Sequence, residues 1–319
     1  MALKTSGIHH VTSIVGDPQR DIDFYTQVLG LRLLKVTVNF DRPETYHLYF
    51  GDYAGSPGTI LTTFPWRGDR QGTIGTGQIT ATSFAIPEGS TDFWRSRLTD
   101  HDVATTGPER RFDEEVLTFA DPDGLINELV SRPGTTASDD WHGEVVPHEH
   151  AIVGFASVTL TSREPDRTAE LLTGLLGFTL IGESDRLRRF VADRNAPGSV
   201  VDLVVDPDGP RGTEGPGTVH HVAWRTRDDA EQLAWRELLT AAGFHVTEVR
   251  DRSYFKSIYF REPGGILFEI ATDPPGFTLD EPLDLLATGV RLPPWYEDRR
   301  SVIEPGLQTI LLSNGITVP

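Results

Sequence analysis

Asp121-Pro122-Asp123-Gly124-Leu125-Ile126-Asn127-Glu128 and Glu262-Pro263-Gly264-Gly265-Ile266-Leu267-Phe268-Glu269 carry one pattern twice. Each has an acidic residue, a proline and a glycine turn, then an apolar run closed by glutamate. They align without a gap, 128 against 269, an offset of 141 residues. Upstream, Gly75-Thr76-Gly77-Gln78-Ile79 pairs with Gly215-Pro216-Gly217-Thr218-Val219 at nearly the same offset. A repeat this long is no solenoid and suits duplicated domains.

Working outward, each repeat contains two copies of a smaller unit. Segment 8–15 alternates loosely and reads as a strand. Asp17-Pro18 then offers an N-cap and a proline at the first helical position. Phe24, Tyr25, Val28 and Leu29 fall at helical spacing, and Gly30 ends the helix. Segments 31–38, 45–50 and 58–64 read as three more strands. The same strand–helix–three-strand order starts again at 78–86, 152–161 and 217–226. Their helices are expected near 90–100, 164–176 and 228–242. The last strands are expected at 124–131, near 205 and at 265–271. Residues 131–150, rich in Ser, Pro, Gly, Thr and Asp, read as a linker. Residues 273–319, with many Pro and acidic residues, read as a tail wrapping the body.

The 319 residues suggest about two domains. With 38% apolar and 24% charged residues, the chain is an ordinary globular mixture rather than a disordered one. Its 29 Lys and Arg against 47 Asp and Glu give a net charge of −18, which argues against nucleic acid and anionic membranes as partners. There is no cysteine, which excludes disulfides, zinc–thiolate sites, iron–sulfur clusters and thiol nucleophiles. No apolar run approaches the roughly 20 residues of a membrane span. The start, Met1-Ala2-Leu3-Lys4, reads as no signal peptide. The expectation is a soluble cytoplasmic protein with a small-molecule partner, and a homo-oligomer is a reasonable expectation.

The repeat also allows equivalent positions to be compared within one chain. On the first strands these are His10, Ala81, Ser157 and His221. On the last strands, counting assigns Thr63, Glu128, Leu203 and Glu269. Metal-competent residues therefore concentrate in units one and four, as His10, His221 and Glu269. Two imidazoles and a carboxylate with open positions form the facial set of non-heme Fe(II) oxygenases. Mn(II) has overlapping preferences. Thr63, a poor ligand, stands in the fourth place and leaves the site open for substrate and oxygen together. Glu128 reads as a relic of duplication with a structural role.

Strand alternation should turn His9 and His220 away from His10 and His221, unless a bulge intervenes. Segment 250–261 could bring Arg252 and Tyr259 beside the metal, but on the residues alone it reads as an ordinary edge strand with solvated charges. His47 reads as a strand residue facing a cavity. His148 and His150 read as solvated linker. The glycine-containing loops at 72–77 and 209–212 lack the context of a phosphate cradle.

The segments His9-His10-Val11-Thr12, Tyr46-His47-Leu48-Tyr49-Phe50, Thr62-Thr63-Phe64-Pro65 and Pro263-Gly264-Gly265-Ile266-Leu267-Phe268-Glu269 carry a resemblance over about 1–280. The chain resembles the ring-cleaving dioxygenases of the vicinal oxygen chelate (glyoxalase) superfamily. Within them it is most similar to the hydroquinone 1,2-dioxygenases, of the 2,6-dichlorohydroquinone type. The resemblance implies an α+β fold of four βαβββ modules in two tandem domains, with curved sheets cupping a metal. Residues 1–132 and 151–272 are the expected domains, 133–150 the linker and 273–319 the tail. Each half should form a curved sheet, with the metal in the cup of units one and four. The implied metal ligands are His10, His221 and Glu269, the set that the repeat had singled out. His9, Thr12, His220, Arg252 and Tyr259 are implied around them. The implied activity is Fe(II)-dependent opening of an aromatic diol with O2. A glyoxalase-like isomerase or lyase, and a quinone- or drug-binding protein, are the alternatives.

Overall fold

A computed structural model describes residues 3–139, 143, 145–184, 186–192, 198–312 and 315–319. Positions 140–142 and 144 of the expected linker lie outside the described residues. Unit one comprises β1 (Ile8–Val15), α1 (Pro18–Asp23), a π-helical turn (Phe24–Val28), β2 (Arg32–Val38), β3 (Tyr46–Gly51) and β4 (Ile60–Pro65). Unit two comprises β5 (Gln78–Ile86), α2 (Thr91–Asp100), β6 (Thr105–Arg111), β7 (Glu114–Ala120) and β8 (Ile126–Ser131). Unit three has β9 (Gly154–Ser162), α3 (Pro165–Gly174), β10 (Thr179–Glu183), β11 (Leu187–Val191) and β12 (Val200–Val205). Unit four has β13 (Thr218–Thr226), α4 (Asp229–Ala241), β14 (Arg250–Asp251), β15 (Lys256–Arg261) and β16 (Leu267–Thr272).

The expected helix signals operate. The Asp17 carboxylate accepts from the Gln19 and Arg20 N–H groups, Pro18 opens α1, and Gly30 stops the helical segment at φ 73°. In α4, Asp228 caps the Glu231 N–H, and Gln232, Trp235 and Leu239 form the buried face.

The units form two eight-stranded curled half-barrels. One has the order β14-β15-β16-β13-β1-β4-β3-β2, the other β10-β11-β12-β9-β5-β8-β7-β6. Each sheet therefore takes one unit from each half of the sequence, not two units from one half. The joint is made by first strands running antiparallel, β1 against β13 and β5 against β9. A continuous apolar cluster joins the sheets through the helices. In it Phe24 meets Phe119, Phe84 stacks on Phe155, and Phe178 meets Trp224.

The joints are bulged at equivalent places. Between β1 and β13 the register skips His9 on one strand and His220 on the other. Between β5 and β9 it skips Thr80 and Ala156. A bulge inserts one unpaired residue and re-aims its neighbours.

Residues 273–319 are more built-in than a loose wrapping. Phe277 and Leu286 pack with Leu34, Tyr49, Ile60, Ala223, Tyr254, Phe255 and Ala271. Ala223, Ala271 and Tyr49 lie two positions beyond His221, Glu269 and His47, so strand alternation puts them on the same face of the sheet. The tail thus plugs one end of the first half-barrel. Lys35, fully buried, holds it there through ion pairs to Asp280 and Glu281. Further on, Val290 bridges to Val36 along the free edge of β2. Among the described residues no helix is long and apolar enough to cross a membrane.

Candidate metal centre

His10 on β1, His221 on β13 and Glu269 on β16 meet inside the first half-barrel. One ligand atom from each lies within 4.8 Å of the others, and all three residues are buried. Nε2 of His10 and of His221 lie 3.3 Å apart. They stand 3.5 and 2.9 Å from Glu269 Oε2. That oxygen is fully buried yet makes no hydrogen bond of sound geometry. The other carboxylate oxygen accepts from Ser257 Oγ at 2.5 Å. A buried carboxylate oxygen with an open lone pair, facing two imidazole nitrogens, suits a divalent cation.

The bulges settle where the first histidine of each pair goes. His9 Nδ1 lies 2.9 Å from His10 Nδ1, and His220 Nδ1 lies 2.7 Å from His221 Nδ1. A histidine ligating through Nε2 carries its proton on Nδ1, and here the neighbouring ring nitrogen is the acceptor. His9 is buried behind His10, edge-on to Phe255. His220 instead reaches the cavity, beside Phe64 and Trp66.

Electrostatics keep His220 and His221 neutral and the Glu269 carboxylate charged. Burial, then the neighbouring His221, pushes the His220 pKa down to about 3. Burial lowers His221 as well, against the pull of Glu269. Burial alone would raise the Glu269 carboxyl, but the facing His10 and His221 hold it well below the usual carboxylate range. Neutral imidazole and ionised carboxylate are the forms that bind metal.

A cavity of about 290 Å³ opens above the three residues. Phe40, Phe64, Trp66, Phe255 and Leu267 give it aromatic and apolar walls. Thr12, His47, His220, Arg252 and Tyr259 supply polar groups, so four of the five residues placed around the metal by resemblance line it. Arg252 Nε donates to the Tyr259 hydroxyl at 3.2 Å. Its Nη2 donates to Asp41 at 2.9 Å, a contact across the joint between units four and one. Burial and Glu269 push the Tyr259 hydroxyl pKa up, keeping it a hydrogen-bonding phenol. The ordinary-edge-strand reading of 250–261 is thereby replaced.

One register reading needs correction. Glu269 pairs with Ala223, two residues after His221, and Glu128 pairs with Ser83. The same step from His10 leads through Thr12 to Thr62, and from Ser157 through Thr159 to Asp202. Thr62 in unit one and Asp202 in unit three, not Thr63 and Leu203, therefore hold the last-strand positions. Side chains alternate along a strand, so an error of one residue selects the opposite face. Thr63 indeed faces the helix, donating to Asp21. Thr62 is no better a ligand, so the three-residue set is unchanged.

His148 and His150 lie away from this centre. His150 stacks on Phe93 at 4.2 Å and bonds Ser90. It packs rather than being fully solvated. Thr62, Ser257 and Phe255 were missed from the sequence. The places of the first two follow from strand register, Thr62 opposite Thr12 and Ser257 opposite Ala271, which no local pattern displays.

Comparisons with known proteins place this geometry in a family. The model of the Glyoxalase/Bleomycin resistance protein/Dioxygenase superfamily matches residues 7–129 and 154–270. The chain is 51% identical over 307 residues to "Putative ring-cleaving dioxygenase MhqO" of Bacillus subtilis (strain 168), covering 96% of this chain and 97% of that one. It is 34% identical over 301 residues to the chlorohydroquinone/hydroquinone 1,2-dioxygenase of Sphingobium indicum, covering 92% and 93%. A crystal structure of a "putative dioxygenase from Bacillus subtilis subsp. subtilis str. 168" superposes with a TM-score of 0.93 at 49% identity, over 97% and 98% of the two chains. The family model matches both halves and a relative is half identical along nearly the whole length, so the chain belongs to the glyoxalase/bleomycin resistance protein/dioxygenase superfamily.

Proposed function

We propose that the protein is an Fe(II)-dependent ring-cleaving dioxygenase that opens an aromatic diol, a hydroquinone, with O2. The observation that carries this reading is the three-ligand set His10, His221 and Glu269 beneath an aromatic-walled cavity, with Thr62 in the fourth place. Bound there, Fe(II) would supply Lewis acidity toward a diol hydroxyl and open positions for oxygen chemistry; Mn(II) could fill the same set. The names of the MhqO and Sphingobium relatives support the reaction class and the hydroquinone substrate.

The chain's own residues then divide the work. His220, neutral and at the cavity wall, accepts or returns a proton. His9 holds the His10 ring in orientation through Nδ1. Arg252 and Tyr259 form a coupled donor pair that orients the substrate oxygen. Thr12 offers a hydroxyl from the opposite wall. Phe64, Trp66 and Phe255 sandwich a ring and exclude water. A glyoxalase-like isomerase needs a fourth protein ligand, and the threonine there speaks against it.

The test loads metal-free protein with Fe(II) in the absence of oxygen. Air and a panel of hydroquinones and catechols are then supplied in an oxygen electrode. Stoichiometric uptake with hydroquinones, lost in His10→Ala and Glu269→Ala, is expected. Silence across the panel despite one bound iron would return the isomerase, and no bound metal would return the binding protein.

A further inference from the structure

A buried hydrogen-bond chain runs from the cavity wall into the plugged end of the half-barrel. Thr12 Oγ1 lies 2.8 Å from Thr62 Oγ1. Thr62 Oγ1 lies 2.9 Å from His47 Nε2, and His47 Nδ1 lies 2.8 Å from the Tyr49 hydroxyl. The two threonines and the tyrosine are fully buried, and His47 is 8% exposed. Burial, then the nearby His10, holds the His47 pKa well below its usual value. The ring is thus neutral and carries one N–H, so its two nitrogens take opposite roles.

The far end sets the direction. Among the described residues, the Tyr49 hydroxyl bonds only to His47, within walls of Tyr254, Phe255 and Phe277. If His47 Nδ1–H donated to it, the phenolic hydrogen would be buried with no acceptor, which is costly. If Tyr49 donates, the one hydrogen left over lies at the cavity end instead. The proton of His47 then sits on Nε2 and goes to Thr62, and the Thr62 hydroxyl donates to Thr12. The Thr12 hydrogen is left pointing at the cavity.

We propose that Tyr49, His47 and Thr62 are positioning residues that lock Thr12 as a hydrogen-bond donor to an oxygen in the cavity. In the reading of the site given above, on which this rests, that oxygen belongs to the diol or to O2. A hydroxyl is normally free to donate or accept. Here three buried partners decide in advance, and the rotation need not be frozen at the moment of reaction.

Two measurements test the chain. The first is the tautomer of His47 in metal-free protein labelled with ¹⁵N-histidine, its signals assigned by loss in His47→Gln. Long-range proton–nitrogen correlations are expected to show Nε2–H with Nδ1 as acceptor. Nδ1–H, or a doubly protonated ring at neutral pH, would overturn the direction whatever the enzyme does. The second is steady-state oxygen uptake by the iron-loaded protein. Thr62→Val is expected to lower kcat by about tenfold, the lower end for losing an outer-shell partner, with KM and bound iron unchanged. Thr62→Ser is expected to restore it. Unchanged kcat in Thr62→Val, or a parallel fall in bound iron, would reduce the chain to structural packing. A wild-type protein that consumes no oxygen but shows Nε2–H would refute the dioxygenase reading and leave the hydrogen-bond direction standing.

Discussion

Where the first half-barrel carries His10 and His221, the second carries Ala81 and Ser157. At the place of Glu269 it keeps a carboxylate, Glu128, and at the place of Thr62 it adds Asp202. These acids are satisfied from within. Arg111 donates to both oxygens of Glu128 at 2.9 and 2.7 Å. Arg189 donates to both oxygens of Asp202 at 2.7 Å and reaches Glu114, which also takes Arg132. In both interiors a buried carboxylate requires positive charge. Guanidinium groups supply it permanently. The imidazoles leave an oxygen open for an ion from solution. One scaffold thus yields a closed strut or an open candidate metal site, according to which cation completes it.

That contrast makes graded predictions. The largest effect belongs to the open carboxylate. Glu269→Gln keeps the volume but removes the charge, and is expected to abolish stoichiometric Fe(II) binding. Turnover should fall by well over the 10–100-fold typical of losing an outer-shell partner. Metal analysis beside oxygen uptake checks this, and retained iron would break the comparison. Arg189→Met should do the opposite. It takes both hydrogen bonds from Asp202 and leaves Glu114 to Arg132 alone, with an expected loss of about 3–5 kcal/mol in urea unfolding. Bound iron per folded molecule should be unchanged.

The third prediction concerns acid. His220 titrates near 3 when folded and near its ordinary 6.5 when unfolded. Below 6.5 the unfolded chain binds a proton that the folded chain refuses, so this contribution falls as pH falls and is flat above 6.5. His9, His47 and His221 are displaced in the same direction, while Asp121, raised to about 6 chiefly by burial, works the other way. A difference isolates the one group. Relative to wild type, metal-free His220→Asn should gain about 2 kcal/mol between pH 7 and pH 5, at about 1.4 kcal/mol per unit. Parallel pH curves for the two proteins would mean that His220 is protonated in the folded state. The smallest effect sharpens the register. Thr63→Val, which removes the Asp21 partner, should cost about 1–3 kcal/mol of stability and leave kcat unchanged.

Much of this was legible in the sequence because duplication supplied an internal reference. The four units, their order and the coincidence of His10, His221 and Glu269 needed only spacing and residue chemistry. The failures have a common cause. A bulge is a backbone event without a side-chain signature, so the aim of His9 and His220 stayed open until the pairing was known. Thr62 was displaced to Thr63 because last strands were aligned by counting rather than by hydrogen-bond register. The Arg189–Glu114 pair spans 75 residues and joins two units, beyond any local pattern. Lys35, a cation inside a strand, gave no hint that the tail would come back to meet it.

The crossed joint also orders the birth of the molecule. On a growing chain, units two and three emerge consecutively, and β5 can find β9 while unit four is still unmade. Unit one is made first yet finishes last. Thr12 must wait for His221, 209 residues later, and the plug at Phe277 comes later still. Such long-range pairing is slow to close. Unit one can pair β1 with β4 early, but the other edge of β1, the one that takes β13, stays open through much of synthesis, and His10, His221 and Glu269 cannot meet until almost the entire polypeptide exists. The candidate metal centre is withheld from every incomplete chain by topology alone.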